Sequence, residues 1–129
     1  MFQPKQYQQF TIYHAPLLQQ QLGVVHGFSS RINGYSKAPY QGLNLGLTTG
    51  DDADAVLRNR KAFANALGIL PDQIVIGYQV HGTHAAHVTV QDCGKGAFDA
   101  ATALPDTDGL ITAEPGVALM TLYADCVPV

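Results

Sequence analysis

Apolar and polar positions along the chain mark several short extended stretches and one clear helix. Phe10 to Ala15 predicts a short strand, and Gly23 to Ser30 a second through Val24, Val25 and Phe28. Asn33-Gly34 is a strong turn signal, because both residues tolerate positive φ. Pro39 to Gly50 is glycine-rich, carries the phrase GLNLGL, and reads as an irregular loop with one short extended piece. Asp51 to Leu67 then has the spacing of an amphipathic helix. Asp51, Asp52 and Asp54 suit its N-terminus, where backbone N–H groups are unpaired, and Gly68 suits the position just past its end. Val56, Phe63 and Leu67 fall on one face, and Arg60 lies on that same face.

Beyond the turn at Pro71-Asp72, Ile74 to Val80 predicts a buried strand ending at His81-Gly82. Ala85 to Val90 follows closely enough to suggest a hairpin with it. Gln91 to Pro105 is loop-like. Asp108 to Thr112 and Val117 to Tyr123 are expected to pair with each other across a turn at Glu114-Pro115-Gly116, with proline at i+1 and glycine at i+2. The fold class that follows is α+β: mixed or antiparallel β-sheets layered with a few α-helices. Domains tend to finish in loosely held polar residues. Here apolar residues after a buried-looking strand predict that residues 1–129 are an incomplete part of a larger single-domain fold.

Composition narrows the class. A chain of 129 residues, 47% hydrophobic and 13% charged, can bury a core without disulfide staples. Its formal net charge of −3 offers no footprint for nucleic acid or an anionic membrane. The N-terminal MFQPKQYQQF lacks the apolar region of a signal peptide, and no apolar run is long enough to span a bilayer. A cytoplasmic protein with reduced thiols is the expectation, with a Cys93–Cys126 disulfide as the alternative.

Few residues are then placed for chemistry. His81 ends an apolar stretch, and Gly82 after it lets a ligand or backbone come close. His84 and His87 do not share one strand face with it and read as surface or loop histidines; His14 and His26 carry weaker signals still. Cys126 follows Ala124-Asp125. Asp125 at the lip of a core strand needs a partner, and Pro128 breaks the ladder. A lone cysteine is more often a small hydrophobe. With His81 it could instead be a metal ligand or a nucleophile beside its base, and spacing does not separate the two. Arg60 on an apolar helix face calls for a salt bridge, to Asp51, Asp54, Asp106 or Asp108, or for an anion to clamp. Arg31 could supply a second charge to the same ligand. Asn44 either lines a site or holds its own turn. Cys93 receives no role, and there is neither a Walker motif nor a GxGxxG.

Six short motifs stand in a telling order: His26-Gly27-Phe28-Ser29-Ser30-Arg31, Gly42-Leu43-Asn44-Leu45-Gly46, Gly50-Asp51-Asp52, Asn59-Arg60, Gln79-Val80-His81-Gly82 and Ala124-Asp125-Cys126-Val127-Pro128. In this order they resemble the YfiH-like laccase-domain, or polyphenol-oxidase, family. The likeness covers nearly the whole chain after about Val24.

That resemblance implies a purine nucleoside phosphorylase cleaving adenosine, inosine and methylthioadenosine with phosphate. It also implies deamination of adenosine, and older descriptions imply a copper polyphenol oxidase. It implies zinc held by a histidine, a cysteine and a second histidine, of which His81 and Cys126 match the first two. The second histidine belongs to a His-Ala-Gly-Trp segment beyond ADCVPV; this chain has no such segment and no tryptophan. Asn44 and Arg60 match catalytic positions lining the site, and Arg31 a substrate-binding one. The chain is thus expected to be an N-terminal portion of a YfiH-like domain. Its partners would be a purine nucleoside and phosphate, with neither nucleic acid nor membrane. A metal-free Cys126/His81 hydrolase and a non-catalytic fragment are the rival readings, and the oligomeric state is left open.

Overall fold

A computed structural model describes residues 2–125, in two compact units, Met1–Ile69 and Leu70–Val129. The architecture is α+β.

In the first unit, β1 (Gln3–Tyr7), β2 (Phe10–His14) and β3 (Phe28–Ser29) form an antiparallel sheet with β2 in the middle. β2 buries Phe10, Ile12 and His14 and turns Thr11 and Tyr13 the other way, the period of two that a half-buried strand shows. β1 carries no such alternation, since all but Tyr7 are exposed, and sequence patterning had nothing there to detect. The strand expected over Gly23 to Ser30 shrinks to Phe28–Ser29, because Val24 and Val25 are exposed and outside the ladder. Pro16–Gln19 forms the short α1.

The main helix, α2 (Ala53–Ala66), begins where the acidic run predicts. Asp52 is its N-cap and accepts from the Asp54 amide at 3.2 Å, while Gly68 takes a left-handed φ of +72° just past the C-terminal end. Val56 is fully buried, and Ala55, Asn59, Arg60 and Ala64 are buried with it.

His14 ends β2 inside the unit. Its ring meets that of His26 edge-on at 5.2 Å, its Nε2 lies 3.2 Å from the Tyr7 hydroxyl, and the Ala15 amide donates to His26 Nε2 at 2.8 Å. Burial, and secondarily the nearby His26 and Lys5, lowers the His14 pKa below 6.5. A histidine with a depressed folded pKa takes up its proton more readily unfolded. Its contribution therefore turns destabilising as pH falls below 6.5, and it has no effect well above that value. We expect urea midpoints to drop between pH 7 and pH 5, and the His14→Gln variant to flatten that slope. An unchanged slope in the variant would remove His14 from the account.

The second unit pairs its strands differently from the expectation. β4 (Ile74–Ile76) lies parallel to β7 (Ala118–Met120), and β5 (Ala85–His87) parallel to β6 (Gly109–Ile111). Among the described residues neither the β4–β5 hairpin nor a β6–β7 pair forms. The turn at Glu114-Pro115-Gly116 is present, with Gly116 at φ +84°, but its flanking strands leave for other partners. β4 is buried at all three positions. Its open edge is closed by the loop after it: the Gly94 amide donates to the Ile74 carbonyl, Ile76 N to Lys95 O, and Leu104 N to Ile76 O, at 2.9–3.1 Å. The predicted continuation to Val80 instead leaves the strand at Gly77, and Tyr78 donates its amide to Leu104 O and accepts from the Thr107 amide. Val80 is exposed.

Candidate functional site

Asn59 and Arg60 are consecutive on α2, and they hold consecutive carbonyls of the glycine-rich loop. Asn59 Nδ2 donates to Asn44 O at 2.8 Å, and Arg60 Nε to Leu45 O at 2.7 Å. Asn59 is fully buried and binds on both sides. Its Oδ1 accepts from the Tyr35 amide at 2.7 Å, and its Nδ2 also reaches Ser36 Oγ at 2.9 Å and Gly42 O at 3.4 Å. The loop is drawn in further by the Leu43 amide, which donates to the Arg31 carbonyl at 2.8 Å. Gly42 makes that approach possible. At φ +126°, a Cβ there would stand 1.7 Å from Arg31 O.

Asn44 holds its own loop. Its Oδ1 accepts from Gly46 N at 3.1 Å, and its Nδ2 donates to Thr49 Oγ1 and Asp51 Oδ2, both at 2.9 Å. Hydrogen bonds from Ser36 and then Asn44 keep the Asp51 carboxyl below its usual pKa. Arg60 is buried, with a pKa lowered by desolvation to about 10, so the guanidinium stays charged at neutral pH. Arg31 is exposed. Arg31, Asn44 and Arg60 thus share one backbone framework in the first unit.

Sequence reasoning gave Asn59 no role of its own, although a buried-face asparagine between Val56 and Phe63 is a signal of a polar hub. Arg58, one residue earlier, lies 4.2 Å over the Tyr35 ring.

In the second unit His81 is exposed and sits in a loop rather than at a strand end, with a left-handed φ of +58°. Its neighbour Val80 donates its amide to Asp108 Oδ1 at 3.1 Å, while Asp108 Oδ2 is buried and has no hydrogen-bond partner among the described residues. Asp108, considered from sequence only as a partner for Arg60, therefore belongs to the His81 loop. His84 and His87 are exposed, as expected of loop and surface histidines. A cavity of about 330 Å³, lined by Tyr78, Ala100, Ala101, Ala103, Pro105 and Asp106, opens on the segment leading into His81.

Cys93 is a thiol donating to Gln73 O at 3.6 Å, and its pairing with Cys126 falls outside the described residues. Cys126, the other expected metal ligand, lies outside the described residues. Among the described residues no group of three or more His, Cys, Asp or Glu side chains could hold a metal. What they offer toward one is His81, in the loop whose Val80 amide binds Asp108 Oδ1, together with the unpartnered Asp108 Oδ2. No helix among the described residues is long and apolar enough to cross a membrane.

Residues 25–129 match the family model described as multi-copper polyphenol oxidoreductase laccase. The chain is 45% identical over 107 residues to the purine nucleoside phosphorylase YlmD of Geobacillus stearothermophilus, covering 83% of this chain and 39% of that protein. The crystal structure of that YlmD superposes with a TM-score of 0.81 at 40% identity, over 92% of this chain and 42% of the other. The crystal structure of Bacillus licheniformis YfiH gives a TM-score of 0.71 at 33% identity, over 88% and 37%. The chain therefore spans about two fifths of the length of the relatives it matches.

Proposed function

The chain belongs to the multi-copper polyphenol oxidoreductase laccase family, and on that footing we propose that it carries part of a zinc-dependent purine nucleoside phosphorylase. The substrates in this reading are adenosine, inosine and methylthioadenosine with phosphate, with deamination of adenosine as a second activity. The observation that carries it is the 45% identity, over 83% of the chain, to a protein named purine nucleoside phosphorylase.

In this reading His81 and Cys126 are two of the metal ligands, and a second histidine is the third. A thiolate with imidazole donors is a zinc-binding set, and the same donors also suit the copper of the family's older description. Zinc bound there supplies a Lewis acid to the reaction. Arg60 holds the phosphate that attacks the anomeric carbon as the purine leaves, and Arg31 adds a second charge to it. Asn44 contributes by fixing the loop beside Arg60, since its amide is engaged by Thr49 and Asp51.

The test is zinc content together with hypoxanthine release from inosine and phosphate in the same purified sample, before and after chelation. Bound zinc with release that chelation abolishes is the expected outcome. Release that survives chelation and is lost on alkylating Cys126 moves the chemistry to a Cys/His hydrolase. A zinc-loaded protein without release overturns the phosphorylase reading.

A further inference from the structure

We propose that Asp108 is the positioning residue of His81: one carboxylate oxygen fixes the loop, and the other waits for the imidazole N–H of a metal-bound ring. This rests on reading His81 as a metal ligand. The geometry is local and specific. Val80 N, just before His81, donates to Asp108 Oδ1 at 3.1 Å. Just after His81, a Cβ on Gly82 would lie 3.2 Å from Asp108 Oδ2, so the second oxygen packs against that glycine. The two contacts bracket His81.

The far end of the same loop is tied to the same residue. The amides of Asp108 and Gly109 both donate to His84 O, at 3.0 and 3.1 Å, and Ala85 pairs with Gly109 as β5 and β6 begin. Residues 80–84 are thus clipped at both ends by one short segment. That clip accounts for a histidine held at φ +58°, a conformation that costs a residue with a Cβ and persists only where its surroundings impose it.

A loop strut explains Oδ1 but not Oδ2. A buried carboxylate oxygen without a donor is unfavourable, and among the described residues none donates to it. A histidine that gives one ring nitrogen to a metal has an N–H on the other, and such N–H groups are regularly taken by a carboxylate that fixes the ring's tautomer and orientation. His81, bracketed by the two residues that Asp108 contacts, carries a ring N–H whose chemistry fits Oδ2.

Asp108→Asn separates the two roles. The Val80 amide orients the side-chain carbonyl toward itself, so asparagine keeps the strut and puts an NH₂ where Oδ2 was. The experiment is titration of the protein with zinc against a competing chelator, for the wild type, Asp108→Asn, Asp108→Ala and His81→Ala. Hydrogen exchange of the Val80 amide and thermal midpoints are measured on the metal-free samples. Asp108→Asn should keep Val80 protection and the midpoint while losing about 10- to 100-fold in zinc affinity. Asp108→Ala should lose both. Wild-type zinc affinity in Asp108→Asn overturns the proposal, as does a loss of affinity that only accompanies loss of Val80 protection. His81→Ala tells the two levels apart. If it binds zinc like the wild type, the ligand reading itself fails; if it loses zinc while Asp108→Asn does not, only the positioning role fails.

Discussion

Replacing Asn59 by alanine should destabilise the first unit by about 3–5 kcal/mol, at the extreme end of what single substitutions do. The side chain is fully buried and serves Tyr35, Ser36, Gly42 and Asn44 at once. Truncation removes the acceptor of the Tyr35 amide and the donor to the Asn44 carbonyl in one step. Each buried group left unpaired costs about 1–3 kcal/mol, and partial entry of water keeps the sum from being simply additive. Asn59→Asp keeps the shape but turns a carboxylate oxygen toward carbonyl and hydroxyl oxygens, so it should be no better tolerated. Urea unfolding at constant m-value measures both variants. A cost below about 1 kcal/mol for alanine would mean that the loop does not depend on this hub.

Under the proposed phosphorylase reading, Arg60→Lys should lower kcat/KM for phosphorolysis on the order of 100-fold, or about 2.7 kcal/mol of transition-state stabilisation, mostly through a raised KM for phosphate. Lysine keeps a charge but loses the planar fork that grips two oxygens of one anion. It also lacks an atom equivalent to the Nε that binds Leu45 O, so a stability loss of about 1–3 kcal/mol accompanies the change. Phosphate supplies the discriminating measurement. It should raise the thermal midpoint of the wild type by linkage and leave that of Arg60→Lys almost unmoved. A variant that is less stable but keeps the phosphate KM would make Arg60 a strut for the loop and nothing more.

The parts of the fold that could be read in advance are those whose signals are local. α2 declares itself through the Asp51-Asp52 start, Gly68 at the end and the Val56–Arg60–Phe63 spacing, and β2 through its alternation. Strand partners leave no such mark. Ile74–Ile76 is apolar throughout, and a continuous apolar run does not encode which neighbour covers it. Proximity in sequence then suggested hairpins for β4 with β5 and for β6 with β7, where the chain makes parallel pairs. β1 was invisible because its polar residues face water on both sides of the ribbon.

The candidate site divides in the same way. Arg60 stood out as a charge on an apolar face, and its burial bears that out. Asn44 was open between lining a site and holding a turn, and its hydrogen bonds are those of a turn. Asn59 and Asp108 escaped because their partners are backbone groups, and a backbone group has no residue identity to notice. His81 and Cys126 were open between metal ligands and a nucleophile with its base; the order of six motifs favoured the metal reading, and Cys126 lies outside the described residues.

Adjacent helix residues gripping adjacent loop carbonyls has a consequence for how this protein can vary. Most surface connections absorb insertions and deletions freely. Between Gly42 and Leu45 the loop is instead measured out against the helix, one carbonyl per side chain, with Leu43 counted against Arg31. One residue added there would move both grips out of phase together. The next stretch is measured out as well, since the Asn44 amide holds both Thr49 and Asp51.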